Sequence, residues 1–405
     1  MFNIDFFNQK CSPELEDFEV VERKGLGHPD ILADGLAEAI SNAYSLFCLK
    51  KYGAVLHHNL DKLYIGGGLW QVNLGTAKMK KPVILRTNGR ISSSFGNDKI
   101  DYIEITRNAV ESYLNRILPN LKIDKNLIID CNATQHTIRK NWFNPKSFQD
   151  LPELKNIKAN DTAICCSHSS LTSLERICLK VERYFWDLCS NGYPIKPKFD
   201  DIGQDIKVMG IRIKNEIELV ICLPFLSNYF SSSKSIDKRK KEIESLVYCF
   251  VKNLSEALGF SIRLKFSKNY ILGLGSCIEC GEEGLVGRGN SLSGLVSVMR
   301  PKGTEAYFGK NPMYHVGRVQ MFQTRLFSRN LYELTGFPNT VYTLGIHSTE
   351  LFPPKKIVVY CENEIDQTLL EKTAYDCFNK SNYLEKIINK TITDNFCEML
   401  YEEYP

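Results

Sequence analysis

Short apolar runs alternate along the chain with longer stretches in which apolar residues recur every three or four positions, and this alternation predicts a mixed α/β fold. Strands are expected at residues 54–64, 83–87, 127–130, 262–272 and 356–360, and at 206–213 and 216–223, which Lys214-Asn215 would join as a hairpin. Helices are marked by their ends. Pro29 stands where a first helical residue belongs, apolar positions follow at Leu32, Leu36, Ile40, Ala43 and Phe47, and Gly53 closes the stretch. Thr172 and Glu175 form a capping box ahead of Leu174, Ile177, Val181, Phe185 and Leu188. A helix over 105–118 should stop at Pro119, one over 242–258 at Gly259, and Asn311-Pro312 should open one running toward Gly336. No linker, low-complexity tract or visible repeat divides the chain. The expected units, residues 1–140, 141–260 and 261–405, would therefore share sheets and pack tightly.

A chain of 405 residues is long enough for two or three packed units, and 43% hydrophobic with 24% charged residues excludes a disordered chain. The longest apolar run, 219–226, is interrupted by Pro224 and falls short of the roughly 20 residues a membrane helix needs. The first residues lack the basic flank of a signal peptide, so a soluble, cytoplasmic chain with no membrane partner is expected. A net charge of +4 is too small for a dedicated nucleic-acid binder but allows a local anion site. The run Lys238-Arg239-Lys240-Lys241, followed by Glu242 and Glu244, reads as a solvated helix face. Fourteen cysteines are scattered, and Cys277 and Cys280 form a lone CxxC that Cys165-Cys166 does not complete as a zinc site. Reduced, mostly buried thiols are expected.

The chemistry concentrates in five segments. In Lys24-Gly-Leu-Gly-His28-Pro-Asp30, two glycines let backbone approach a ligand and the helix start offers free N–H groups to an anion. His28 could donate to a phosphate or leaving oxygen and Asp30 could hold Mg²⁺, although a histidine there could equally just cap the helix. In Gly281-Glu282-Glu-Gly-Leu-Val-Gly-Arg288-Gly-Asn290, clustered glycines and one guanidinium suit a loop around phosphate, or else a glycine-rich hairpin. Phe308-Gly-Lys310-Asn-Pro312 sets a lysine before a helix start. Gly203-Gln-Asp205-Ile-Lys207 should place Asp205 and Lys207 on one strand face, and Ala159-Asn-Asp161-Thr adds a carboxylate. Together these supply what a polyphosphate site assembled from several segments requires.

In this order the segments resemble the S-adenosylmethionine synthetases (methionine adenosyltransferases), specifically their archaeal-type branch, from about Phe18 to about Arg329. Met299-Arg-Pro301 and His315-Val-Gly317 share the likeness. The resemblance implies an α/β (α+β) protein of pseudo-threefold sheet-plus-helix units, working as a homodimer with sites between subunits, tetramers being open. It implies ATP and methionine as substrates, displacement of triphosphate from C5′, Mg²⁺ (two ions) and K⁺ as cofactors, and no nucleic-acid partner. His28 would sit by the departing oxygen and Asp30 would hold Mg²⁺. Lys207, Arg288 and Lys310 would line the polyphosphate with Asp205 beside them, Asn290 would belong to the same loop, and Asp161 would contact nucleoside or amino acid. The chain departs from the family pattern in several places. Glu282 stands where aspartate is usual, near the methionine. Cys166-Ser-His168-Ser-Ser170 replaces a Gly-Tyr-Ala-Pro stretch, Cys131–His136 replaces a short glycine-rich turn, and Phe308 replaces a small residue. Two alternatives follow: a paralogue using the same machinery on another nucleophile or nucleotide, or a catalytically weak regulatory subunit.

Overall fold

The computed structural model describes residues 2–134, 143–151, 156–188, 194–268 and 270–392. Three sheets organise them. One runs in the order Ser261–Phe266, Glu216–Cys222, Lys207–Ile213, Phe18–Lys24, Val296–Ser297. A second follows the order Leu127–Thr134, Val83–Ile91, Tyr64–Gly66, Glu283–Leu285, with His58–Asn59 also pairing Val83–Ile91. A third orders Ile4–Asn8, Lys356–Cys361, Asn339–Gly345 and Ala163–Ser169. Each of these three sheets draws strands from distant parts of the sequence, whereas two-stranded pairs such as Leu69–Asn73 with Thr76–Lys81 are local; the α/β class is as expected.

The helix Pro29–Tyr52 crosses the interior with every residue from Pro29 to Glu38 buried. Helix Ser173–Arg183 lies on the first sheet and Val316–Thr335 on the third. Ion pairs with both partners out of solvent tie these layers: Arg23–Glu182 at 2.8 Å, Arg300–Glu175 at 2.9 Å, and Arg318–Glu38. Buried charges persist only when paired and hydrogen-bonded, so Arg23–Glu182 fixes a helix against the first sheet, Arg300–Glu175 a turn against that helix, and Arg318–Glu38 one helix against another.

Several boundaries differ from expectation. Residues 54–64 yield two short strands, His58–Asn59 and Tyr64–Gly66, because the rest is a buried loop whose carbonyls are taken by side chains (Asn311 Nδ2 to Leu56 O, 3.1 Å; Ser92 Oγ to His57 O, 3.0 Å). The run 262–272 splits into Ser261–Phe266 and Tyr270–Leu272, which belong to different sheets. The last long helix starts at Val316, capped by His315, because Asn311 turns its side chain back onto Met313 N instead. Helix Ser173–Arg183 stops short of Phe185 and Leu188, with Trp186–Leu188 continuing as a strand. Of the segment Cys131–His136, residues up to Thr134 extend the strand Leu127–Thr134; Gln135 and His136 lie outside the described residues. The helix expected over 242–258 begins earlier, at Ser233, where Ser232 supplies a capping box; the capping box at Thr172, the αL caps at Gly53, Gly259 and Gly336, and the hairpin through Lys214 at φ 51° are as expected.

A candidate active site at a helix start

The strand Phe18–Lys24 lies antiparallel to Lys207–Ile213 in a register that sets Lys24 opposite Lys207. The chain then turns through Gly25-Leu-Gly27 into the helix Pro29–Tyr52. Gly25 N–H donates to Ile206 O at 2.6 Å and Gly27 N–H to Gln204 O at 2.9 Å. A Cβ on Gly27 would lie 2.6 Å from the Gln204 carbonyl carbon, so no larger residue fits beside that strand entry. His28 caps the helix, its Nδ1 accepting from Asp30 N–H at 3.1 Å. In the neutral ring that bond leaves the proton on Nε2. Burial, then the charges of Lys24 and Lys207, hold His28 down to about 4, so at neutral pH it is an uncharged donor. Capping and donating are compatible roles, one for each nitrogen.

The glycine loop is strapped onto this turn. Lys24 Nζ bridges Asp30 Oδ2 (3.0 Å) and Arg288 O (2.8 Å), while Asp30 Oδ1 accepts from Leu285 N–H at 3.2 Å. The Asn290 side chain pairs with the Lys24 backbone, accepting from its N–H at 3.1 Å and donating to its carbonyl at 2.8 Å. Gly287 N–H donates to buried Asp34 at 2.7 Å. The loop presses so close that a Cβ on Gly284 would lie 1.9 Å from Pro29 O. With its backbone held, the loop leaves the Arg288 side chain exposed and without an ion-pair partner among the described residues.

Asp205 and Lys207 do not share a strand face, because the strand begins only at Lys207. Asp205 precedes it, buried, its Oδ2 accepting from Cys277 N–H at 2.8 Å. Burial pushes its carboxyl up to about 6; the Cys277 hydrogen bonds and Lys207 oppose that rise, and Glu282 adds to it. Lys207 Nζ sits 3.4 Å from Glu22 Oε1 and keeps 38% exposure, so it retains reach toward a ligand. The structure thus brings together Lys24, His28, Asp30, Asp205, Lys207, Glu282 and the loop of Arg288 and Asn290. Lys24, Asp34 and Glu22 were missed as individual residues. Lys24 stood inside the quoted motif, whereas the partners of Asp34 and Glu22 lie about 250 and 185 positions away and leave no local signal.

Lys310 and Asp161 lie elsewhere. Lys310 is buried and held by Glu305 and by Asp61 at 3.6 Å. Asp161 is exposed and accepts from the adjacent Thr162 N–H at 2.8 Å. No hydrogen bond or ion pair among the described residues ties either to the His28 group. Of the two CxxC thiols, Cys280 is exposed and Cys277 half-buried, which corrects the expectation of burial for this pair.

No group of three or more His, Cys, Asp or Glu among the described residues is arranged to hold a metal by protein ligands alone. Mg²⁺ keeps water and phosphate ligands and takes only one or two carboxylates. Asp30, already facing the Lys24 ammonium, and the mutually repelling Asp205 and Glu282 are oxygen donors of the required kind.

The profile of the family described as S-adenosylmethionine synthetase (AdoMet synthetase) matches residues 3–343. The chain belongs to that family. It is a methionine adenosyltransferase-like enzyme. It is 34% identical over 322 residues to an S-adenosylmethionine synthase of Methanospirillum hungatei, covering 78% of this chain and 77% of that one. It is 33% identical over 327 residues to the S-adenosylmethionine synthase of Thermoplasma volcanium, with the same coverage. An uncharacterized protein of Streptococcus pyogenes serotype M3 is 39% identical over 361 residues, 88% of each chain. Among solved structures, an unusual S-adenosylmethionine synthetase from Campylobacter jejuni shares the fold at a TM-score of 0.58, 13% identity and 96% coverage of both chains. The described helices include none long and apolar enough to cross a membrane.

Proposed function

We propose that this enzyme makes S-adenosylmethionine from ATP and methionine, the sulfur attacking C5′ and expelling triphosphate, which water then splits to phosphate and diphosphate. The observation that carries the reading is the convergence of Lys24, His28, Lys207 and the Arg288 loop on one helix start, in a chain of this family. A thioether has no proton to lose, so the displacement requires no general base. The barrier lies in separating a highly charged leaving group, and preformed donors lower it. Lys207, half-exposed beside Glu22, and the exposed Arg288 would face the triphosphate, and the neutral His28 would donate Nε2–H to the departing oxygen. Asp30 would hold Mg²⁺, with Asp205 and Glu282 as further oxygen ligands, and the ion would neutralise phosphate charge. K⁺ is a second cofactor reading to which no residue is assigned. Because Lys310 and Asp161 stand apart from the His28 group within one chain, we take the site to be completed in a homodimer. A cytoplasmic location goes with the reading.

A second reading keeps the triphosphate machinery and changes the nucleophile. It rests on the positions where the chain departs from its family, Glu282 and Cys166–Ser170. Incubation with Mg²⁺, ATP and methionine followed by mass spectrometry separates the two. A sulfonium nucleoside, with at least about hundredfold less from Lys207→Ala, is expected. Triphosphate or phosphate release without a sulfonium product would replace the first reading by the second.

A further inference from the structure

Behind the glycine loop lies a cavity of about 250 Å³. Gly287, Gly289 and Asn290 form one wall, and Cys166-Ser167-His168, the stretch that departs from the family pattern, forms part of another. Arg300 lines it at 4% exposure. Its Nε and Nη2 are held by Glu175 at 3.2 and 2.9 Å, and Nη2 also donates to Ser170 O at 2.8 Å, but Nη1 has no hydrogen-bond partner. Both ring nitrogens of His168 are likewise out of solvent and unpartnered. Buried donors without acceptors are costly and uncommon, so two converging on one cavity point to a group that accepts from both. Arg300 also borders the neighbouring groove along Gln9–Glu16; His168 does not, and it selects the cavity.

The lining charges set the sign of that group. Arg300, Lys302 and Arg325 face one carboxylate, Glu305, which is already paired with Lys310. Burial keeps His168 neutral, so it adds a donor without adding charge. The remaining wall includes apolar Leu292 and Met321. We propose that this cavity binds a small aliphatic carboxylate, one oxygen accepting from Arg300 Nη1 and the other from His168, with a short apolar tail against Met321. The Tyr307 hydroxyl, a third buried donor on the cavity wall without a hydrogen-bond partner, can serve a further lone pair of the same carboxylate. The occupant would touch Asn290, which clamps Lys24, and Glu305, which holds Lys310, and so would bear on both groups of site residues. The same carboxylate chemistry could come from the amino-acid substrate or from a separate metabolite.

Calorimetric titration of the full chain, without nucleotide, against L-methionine, pyruvate, succinate and inorganic phosphate tests this independently of turnover. At least one carboxylate should bind with a Kd below about 1 mM while phosphate does not, and His168→Leu should weaken binding at least about tenfold with an unchanged melting temperature. Arg300→Lys, which removes Nη1, should weaken binding likewise, with a lower melting temperature because it also gives up the bidentate pair with Glu175. Binding of L-methionine alone identifies an amino-acid pocket, and binding of another acid identifies a separate effector. No carboxylate bound at 10-fold higher concentration, phosphate bound equally well, or both variants binding like the parent would overturn the proposal.

Discussion

His58, His168 and His315 are all held as neutral rings, because burial removes the water that would stabilise the imidazolium; Arg318, Arg300 and Lys310 respectively add repulsion. Their values, about 4, 3 and 3, lie below the 6.5 of an unfolded histidine, so the unfolded chain binds more protons between these limits. The stability they leave intact above pH 6.5 is therefore lost as pH falls toward 4. From pH 7.5 to 5.5 each ring should cost about 1.4 kcal/mol, or about 4 kcal/mol together. Asp205 acts with the opposite sign, since its raised carboxyl favours the folded state as pH falls through about 6, returning about 1 kcal/mol. His28 adds to the loss and buried Asp34 opposes it as Asp205 does, so urea unfolding at the two pH values should show lower stability at pH 5.5. A free energy that stays level from pH 7.5 to 5.5 would mean these rings are not neutral in the fold. At this scale the sequence grouped His28, Asp30 and Lys207, and the fold sets them side by side. The sequence could not tell that His28 is uncharged, because that follows first from its burial and then from the two lysines packed against it.

Element ends were legible wherever a local cap decides them. Thr172 with Glu175 and the glycines at 53, 259 and 336 are satisfied within one turn, so nothing distant can override them. Residues 54–64 failed as one continuous strand because a buried apolar run reads alike whether its carbonyls meet a ladder or, as here, side chains. The glycine loop shows the same limit. Its composition announced a close approach but not the surface approached, which is the carbonyl of Pro29. Gly284→Ala should collide with that backbone and cost about 1–3 kcal/mol, lowering both melting temperature and turnover. Gly281→Ala, with open space around its Cβ and only a φ of 87° against it, is the control and should cost about 1 kcal/mol. Equal melting temperatures for the two variants would show that the loop is not strapped down.

Across the whole molecule, residues proposed for one reaction fall into separate neighbourhoods. His28, Asp30 and Lys207 meet at one helix start, while Asp161 sits in its own exposed loop beside the N-terminus of Val316–Thr335. If a second copy completes the site, two defective chains can repair one another. His28→Ala and Asp161→Ala proteins, each inactive alone, should recover about a quarter of parental activity when mixed, the statistical share of intact sites in randomly paired dimers. Fully active protein that scatters light as a monomer at assay concentration would eliminate the arrangement.

The order of five motifs determined the family, because each is a short contiguous run that can be read without knowing the fold. Fold class followed from periodicity for the same reason: helix and strand repeats are local properties. What only the tertiary structure decided are long-range matters. Lys24 bridges Asp30 to a carbonyl 264 positions away, Asn290 clamps the backbone of Lys24, and Arg300 keeps one donor free because Glu175, 125 positions earlier, takes the others. Those pairings depend on which side chains burial forces to share a space, and a linear pattern carries no record of that until the chain has closed on itself.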